Sequence, residues 1–275
     1  MGMMDIGSGN VLRGMWLALD TATDAMTIAM FKDGELIGGS SSPSERNHSN
    51  RLLPAIQELT AELGIPMRAL SGIVVGQGPG SYTGIRIGVT VAKTLAWSLR
   101  IPLIAISSLE AMAYGVVAMS KTGESTATFA KSDKATATSG NSVATSEMVG
   151  VIPLIDARRG RAYTAFYKQN GDAWTCDVPD GIKSMEHFLD EIKGGGSGYS
   201  VIITGDVGAF LPLINSFRES WDGEVILDER PLQASSVGEL ALRYGMSRMV
   251  TDVHRFMPNY TQLSEPEKNY PMKTL

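Results

Sequence analysis

Chemistry in this chain would have to start from a few aspartates, one glycine-rich loop and three histidines. The loop is GQGPGSYTG at 76–84, in which four of nine residues are glycine. Its backbone passes close to something, and the helix expected after it offers unpaired N–H groups to an anion. No Gly-Lys-Ser/Thr closes the loop, so it is not a P-loop, and its glycine spacing does not match a dinucleotide fingerprint. Two readings stay open: contact with a ligand, or tight packing of a strand against a helix. Asp20-Thr21 and Asp156 each end an apolar run, and Asp206 follows a third. Carboxylates at the carboxyl ends of such strands face the crevice where α/β sheets bind ligands; the alternative role is to cap a turn.

Metal and nucleophile chemistry find less support. His48, His187 and His254 lie far apart, and Cys176 is the single cysteine, so the paired spacing of a helical metal site is missing and no metal is expected. No serine–histidine–acid arrangement stands out. A lone cysteine also excludes an intrachain disulfide and suits a reducing, cytoplasmic setting. The net charge of −5 argues against a broad non-specific grip on nucleic acid. No apolar run reaches the roughly 20 residues of a membrane helix, and the first residues do not read as a secretory signal.

The elements that position these residues follow from apolar period and turn chemistry. Strands are expected at Met15 to Asp20, Ala25 to Phe31 and from Glu35, with Asp33-Gly34 as a hairpin turn. Leu52, Leu53, Ile56, Leu59 and Leu63 recur at helical spacing. A strand at Ile73 to Val75, the glycine loop, a helix from Ile85 to Leu99, a strand at 102–106 and a helix from Ser108 to Met119 complete one half. Beyond a stretch rich in Ser, Thr and Ala, a similar order returns. Strands are expected at Val151 to Asp156 and Arg161 to Lys168, then a helix at 184–192, a strand at 201–204, a helix at 207–217, a strand at 224–227 and a helix at 237–244. The expected fold class is therefore α/β with two related βββαβα halves. The divisions are a tail at 1–14, a first half at 15–119, an insertion or linker at 120–148 and a second half at 149–275. The helix from Ile85 is apolar on more than one face, so the sheet covers one side and either core or a partner covers the other.

Four stretches carry a resemblance: LALDTAT at 17–23, RNHSNRLLPAI at 46–56, GIVVGQGPGSYTGIRIGVTVAKTLA at 72–96 and IDARRGRAYTAFY at 155–167. Together they resemble the TsaB (YeaZ) family, non-catalytic subunits of the bacterial machinery that forms threonylcarbamoyladenosine beside the tRNA anticodon. The resemblance implies an actin-like, sugar-kinase-like fold. It also implies a larger catalytic TsaD-type paralogue as partner, a TsaE-type ATPase joining the assembly, and tRNA contacted mainly through the complex. The chain alone is expected to form a homodimer, to lack catalytic residues, and to bind ATP weakly, in a vestigial crevice made by Asp20, Thr21, Gly78, Gly80, Ser81, Asp156 and Asp206. The expected partner interface is Leu52, Leu53, Ile56 and Leu59 with Ile85, Gly88, Val89, Ala92 and Leu95. The competing reading is a stand-alone enzyme of this fold, either a glycoprotease-like peptidase or an ATP-dependent phosphotransferase.

Overall fold

β1 (Met15–Asp20) is apolar without alternation because both of its faces are covered and it lies in the middle of its sheet. The computed structural model describes residues 12–43, 48–122, 148–196 and 198–261. β1 pairs antiparallel with β2 (Ala25–Lys32), which pairs antiparallel with β3 (Glu35–Pro43). The Asp33-Gly34 turn joins β2 to β3 with φ of 51° and 91°, as a tight hairpin requires. On its other side β1 runs parallel to β4 (Leu70–Gly76), which is parallel to β5 (Leu103–Ile106). The order is β3-β2-β1-β4-β5.

Helices cover the two faces by the period-two rule. Leu17, Leu19, Ile28, Met30, Ile73 and Val75 pack against α1 (His48–Glu62) and α2 (Tyr82–Leu99). On the opposite face Phe31 lies under Gly238 of α6 (Ala234–Tyr244), where a Cβ would stand 2.1 Å from the ring. α3 (Ser108–Thr122) follows β5.

The second sheet repeats the plan. β6 (Met148–Asp156), β7 (Arg161–Asn170), β8 (Ala173–Ser184), β9 (Ser200–Gly205) and β10 (Val225–Asp228) are ordered β8-β7-β6-β9-β10. α4 (Met185–Gly194) and α5 (Leu211–Ser220) supply Phe188, Ile192, Ile214 and Phe217 to its core. Strand for strand this is the first sheet again, so the fold is the expected actin-like, sugar-kinase-like pair of halves.

Three expectations are corrected. β8 was not located in the sequence; at the sheet edge it accommodates Pro179 and Gly181, which disguise it. The tail does not extend to residue 14, because Leu12 is buried and Gly14 bonds through both its N–H and its C=O to Asp33. Nor is 149–275 one half. By contacts, the described residues of 12–112, 180–182 and 231–261 form one unit and the remaining described residues the other. The cause is α6, whose Val237, Leu240 and Ala241 are buried as it packs on β1 and β2. The 120–148 insertion lies, for 123–147, outside the described residues; 120–122 continue α3 and Met148 begins β6.

Candidate functional site

The buried carboxylate of Asp20 organises the first unit's candidate site. Asp20 is 0% exposed at the end of the central strand. Its Oδ1 accepts from the N–H of Ala22 at 2.6 Å, closing a turn, and its Oδ2 accepts from Ser108 Oγ at 2.6 Å. Ser108 is placed there by the start of α3. Ser107 Oγ accepts from the Glu110 N–H at 3.1 Å in a Ser-x-x-Glu start, which sets Ser108 as the first helical residue. The same Ser108 hydroxyl accepts from the Gly78 N–H at 3.1 Å, while the Ser108 N–H donates to Gly78 O at 3.0 Å. Burial pushes the Asp20 carboxyl up to about 6 from the ordinary 3.8, against the lowering effect of the Ser108 and Ala22 hydrogen bonds.

The glycine loop lies flat on the turn after β1. A Cβ at Gly76 would stand 1.6 Å from Asp20 Oδ2, at Gly80 2.3 Å from Ala22 O, at Gly84 2.1 Å from Thr21 O and at Gly88 2.3 Å from Thr21 Oγ1. Every fourth residue from 76 to 88 is therefore a point of backbone approach. The Ser81 N–H donates to Ala22 O at 2.7 Å, Ser81 Oγ accepts from the Gly84 N–H at 3.3 Å, and Thr21 Oγ1 donates to Gly84 O at 2.7 Å. Gly78, at φ 93°, takes a conformation that a side chain would strain. Of the two readings left open for the loop, this geometry is strand-to-helix packing. The polar groups face one another.

The expected crevice residues thus fall into two sets. Asp20, Thr21, Gly78, Gly80 and Ser81 come together in the first unit. Asp156 and Asp206 come together in the second, where Asp206 Oδ2 accepts from the Asp156 N–H at 2.7 Å. Asp156 Oδ1 accepts from the Arg158 N–H at 2.8 Å, and its Oδ2 lies 3.3 Å from Arg158 Nη1. All three aspartates are engaged by their own units.

The expected interface residues are mostly core. Leu52, Ile56, Leu59, Ile85, Gly88, Val89 and Ala92 are buried within the first unit. Gly88 faces Thr21, and Ala92 packs beneath the helix with Leu19 and Ile73 in one cluster. Only Leu53, at 42% exposure, and the half-buried Leu95 reach the surface. The sequence leaves the second apolar side of α2 to core or partner; Gly88 and Ala92 mark close approach within the chain. Reasoning from sequence missed Ser108, although the Ser-x-x-Glu at 107–110 signalled a helix start beside the loop. Of the metal candidates, the side chain of His48 lies outside the described residues. Cys176 is exposed, and among the described residues no three His, Cys, Asp or Glu side chains are grouped to hold an ion.

The family model for TsaD, tRNA N6-adenosine threonylcarbamoyltransferase, matches residues 42–127. The chain is 31% identical to the tRNA threonylcarbamoyladenosine biosynthesis protein TsaB of Bacillus subtilis, over 92% of this chain and 96% of that one. The chain belongs to the TsaB family. The TsaB of Escherichia coli is 32% identical over 77% of this chain and 80% of its own length. A solved structure, YeaZ from Pseudomonas aeruginosa, superposes with a TM-score of 0.65 at 21% identity, covering 90% of this chain and 99% of that one. That likeness shows that the two chains share a fold.

Proposed function

We propose that the chain is the non-catalytic partner subunit of a tRNA threonylcarbamoyladenosine synthase, pairing with a TsaD-type catalytic paralogue. Kinship with TsaB along nearly its whole length carries the reading. The geometry supports it: Asp20, the residue best placed for chemistry, is shut beneath its own loop with both oxygens bonded. A carboxylate held in this way serves structure. The chain then holds no tightly bound metal or nucleotide of its own, and ATP is used by the assembly through a TsaE-type ATPase. tRNA is met mainly through the complex, and the chain pairs with itself when alone. A cytoplasmic setting accords with tRNA as substrate; among the described residues no helix is long and apolar enough to cross a membrane.

Reconstitution tests this. Purified chain, catalytic paralogue, ATPase, the threonylcarbamoyl-adenylate precursor and tRNA are combined, and the modified nucleoside is measured by mass spectrometry. The modification should appear with all components, drop at least about tenfold without this chain, and be absent with this chain alone. Modification by the chain alone, or full modification without it, would overturn the proposal.

A further inference from the structure

The segment 249–260, which follows α6 and a short 3-10 turn at Gly245–Arg248, forms no helix or named strand, yet it is tied down at several points. It starts as an edge cover: Met249 bridges Ile104 antiparallel, and the Val250 N–H donates to Leu103 O at 2.8 Å, closing the open side of β5. It then runs beside α2, in the opposite direction. The His254 ring meets Trp97 edge-on at 5.8 Å. One turn earlier on the helix, Lys93 Nζ donates to His254 O at 3.0 Å and to Phe256 O at 2.6 Å. Val253 and Phe256 pack on the first unit's core. At the helix start the Tyr260 ring meets Tyr82 at a tilt of 36°, centroids 5.3 Å apart, and the Asn259 N–H donates to Gln77 O, inside the glycine loop, at 2.8 Å.

We infer that residues 249–260 form a latch, closed by the Lys93 ammonium on two backbone carbonyls, that holds the glycine loop in register with α2. The chemistry suits the task. A cation on two carbonyls makes charge-assisted bonds that a neutral donor would not match. Because Lys93 sits at mid-helix and Asn259 reaches Gln77, loosening one end of the segment frees the other. The loop's other ties (the Gln77 N–H to Ile106 O, Ser108 with Gly78, the Ser81 N–H to Ala22 O and Thr21 Oγ1 to Gly84 O) leave Gln77 O to Asn259. Lys93 is thus a positioning residue for the loop, acting through the segment and not by contact.

Amide hydrogen exchange on the full chain tests the latch. Lys93→Met keeps the aliphatic stem and removes the donors. The Asn259 amide should then exchange about tenfold faster, as the loss of charged hydrogen bonds predicts, and the Gly78 amide should accelerate with it while β1 amides hold their rates. Lys93→Arg, which restores a donor cation, should recover most of the protection. Tyr260→Ala, which acts from the far end, should speed the same two amides without touching Lys93. The inference is overturned if Asn259 is unchanged in Lys93→Met, if Gly78 keeps its rate while Asn259 quickens, if β1 amides accelerate equally, or if Tyr260→Ala leaves both amides as they were.

Discussion

Asp20→Asn should remove a defined part of the protein's pH dependence. In the folded chain burial raises the Asp20 carboxyl to about 6, whereas an unfolded aspartate keeps its ordinary 3.8. Between those values the unfolded chain has lost this proton and the folded chain has kept it. Folding is therefore favoured by the proton: the contribution is fully present below about 3.8 and is lost as pH rises through about 6. The gap between the two values, at 1.36 kcal/mol per pH unit, is worth about 3 kcal/mol. Asparagine keeps the oxygen that accepts from Ala22 and titrates nowhere in this range. Urea unfolding of both proteins at half-unit steps from pH 3.5 to 7.5 measures the effect. The stability of the wild type minus that of the variant cancels every other titrating group. It should fall by about 3 kcal/mol across the range from pH 3.5 to 7.5, most steeply between 4 and 6, and level off above about 7. Ser108→Ala, which removes a hydrogen bond that lowers the Asp20 value, should move the end of that fall to higher pH. A difference that stays flat, or that rises with pH, would refute the assignment of a buried, self-satisfied carboxylate.

Other substitutions separate core from surface. Gly84→Ala places a methyl 2.1 Å from Thr21 O and should cost about 1–3 kcal/mol in urea unfolding, whereas Gly208→Ala, with nothing within 4 Å, should stay within about 0.5 kcal/mol of wild type. Ala92→Glu buries a carboxylate in the first unit's core and should lower the melting temperature sharply rather than yield a folded monomer, as thermal unfolding would show. Leu53→Glu, on the exposed side of α1, should leave the melting temperature unchanged; if α1 meets the partner, co-purification with the catalytic paralogue should fall, and unchanged co-purification would place that contact elsewhere.

The sequence was most legible where one residue type has one physical use. Asp33-Gly34 announced its hairpin because few pairs accept positive φ at both positions. β1 and β4 declared themselves as continuous apolar runs covered on both faces. The duplicated order of elements was readable despite β8, because the remaining strands and helices kept their sequence. What stayed hidden was direction. Gly88 and Ala92 lie on a helix whose apolar residues surround much of its circumference, and nothing in their spacing tells whether a small residue adjoins the chain's own turn or a second molecule. Only the position of Thr21, 67 residues away in the chain (88 minus 21), decides it. The placement of α6 with the first sheet was equally hidden, since an apolar helix face does not name the sheet it covers and Gly238 reveals its partner only when set over Phe31.

The two halves share a frame and differ in what fills it. Asp20 and Asp156 end equivalent central strands, and each closes the same small turn, with Oδ1 accepting an amide two residues on, at 2.6 Å and 2.8 Å. The residues after the next parallel strand then separate them. After β4 comes a backbone bare enough to lie on the turn, so the first carboxylate is sealed and its pKa rises. After β9 comes Asp206, whose carboxylate takes the Asp156 N–H in place of a loop. The second turn stays outside, with Arg158 and Arg159 exposed and at positive φ. A duplicated sheet thus supplies two equivalent strand ends, and the side chains that follow the fourth strand of each set determine whether that end becomes a packed anchor for a helix or an open, charged turn. In this chain the anchored end holds α2 rigidly from beneath through Thr21, and the latch segment holds it from the side through Lys93.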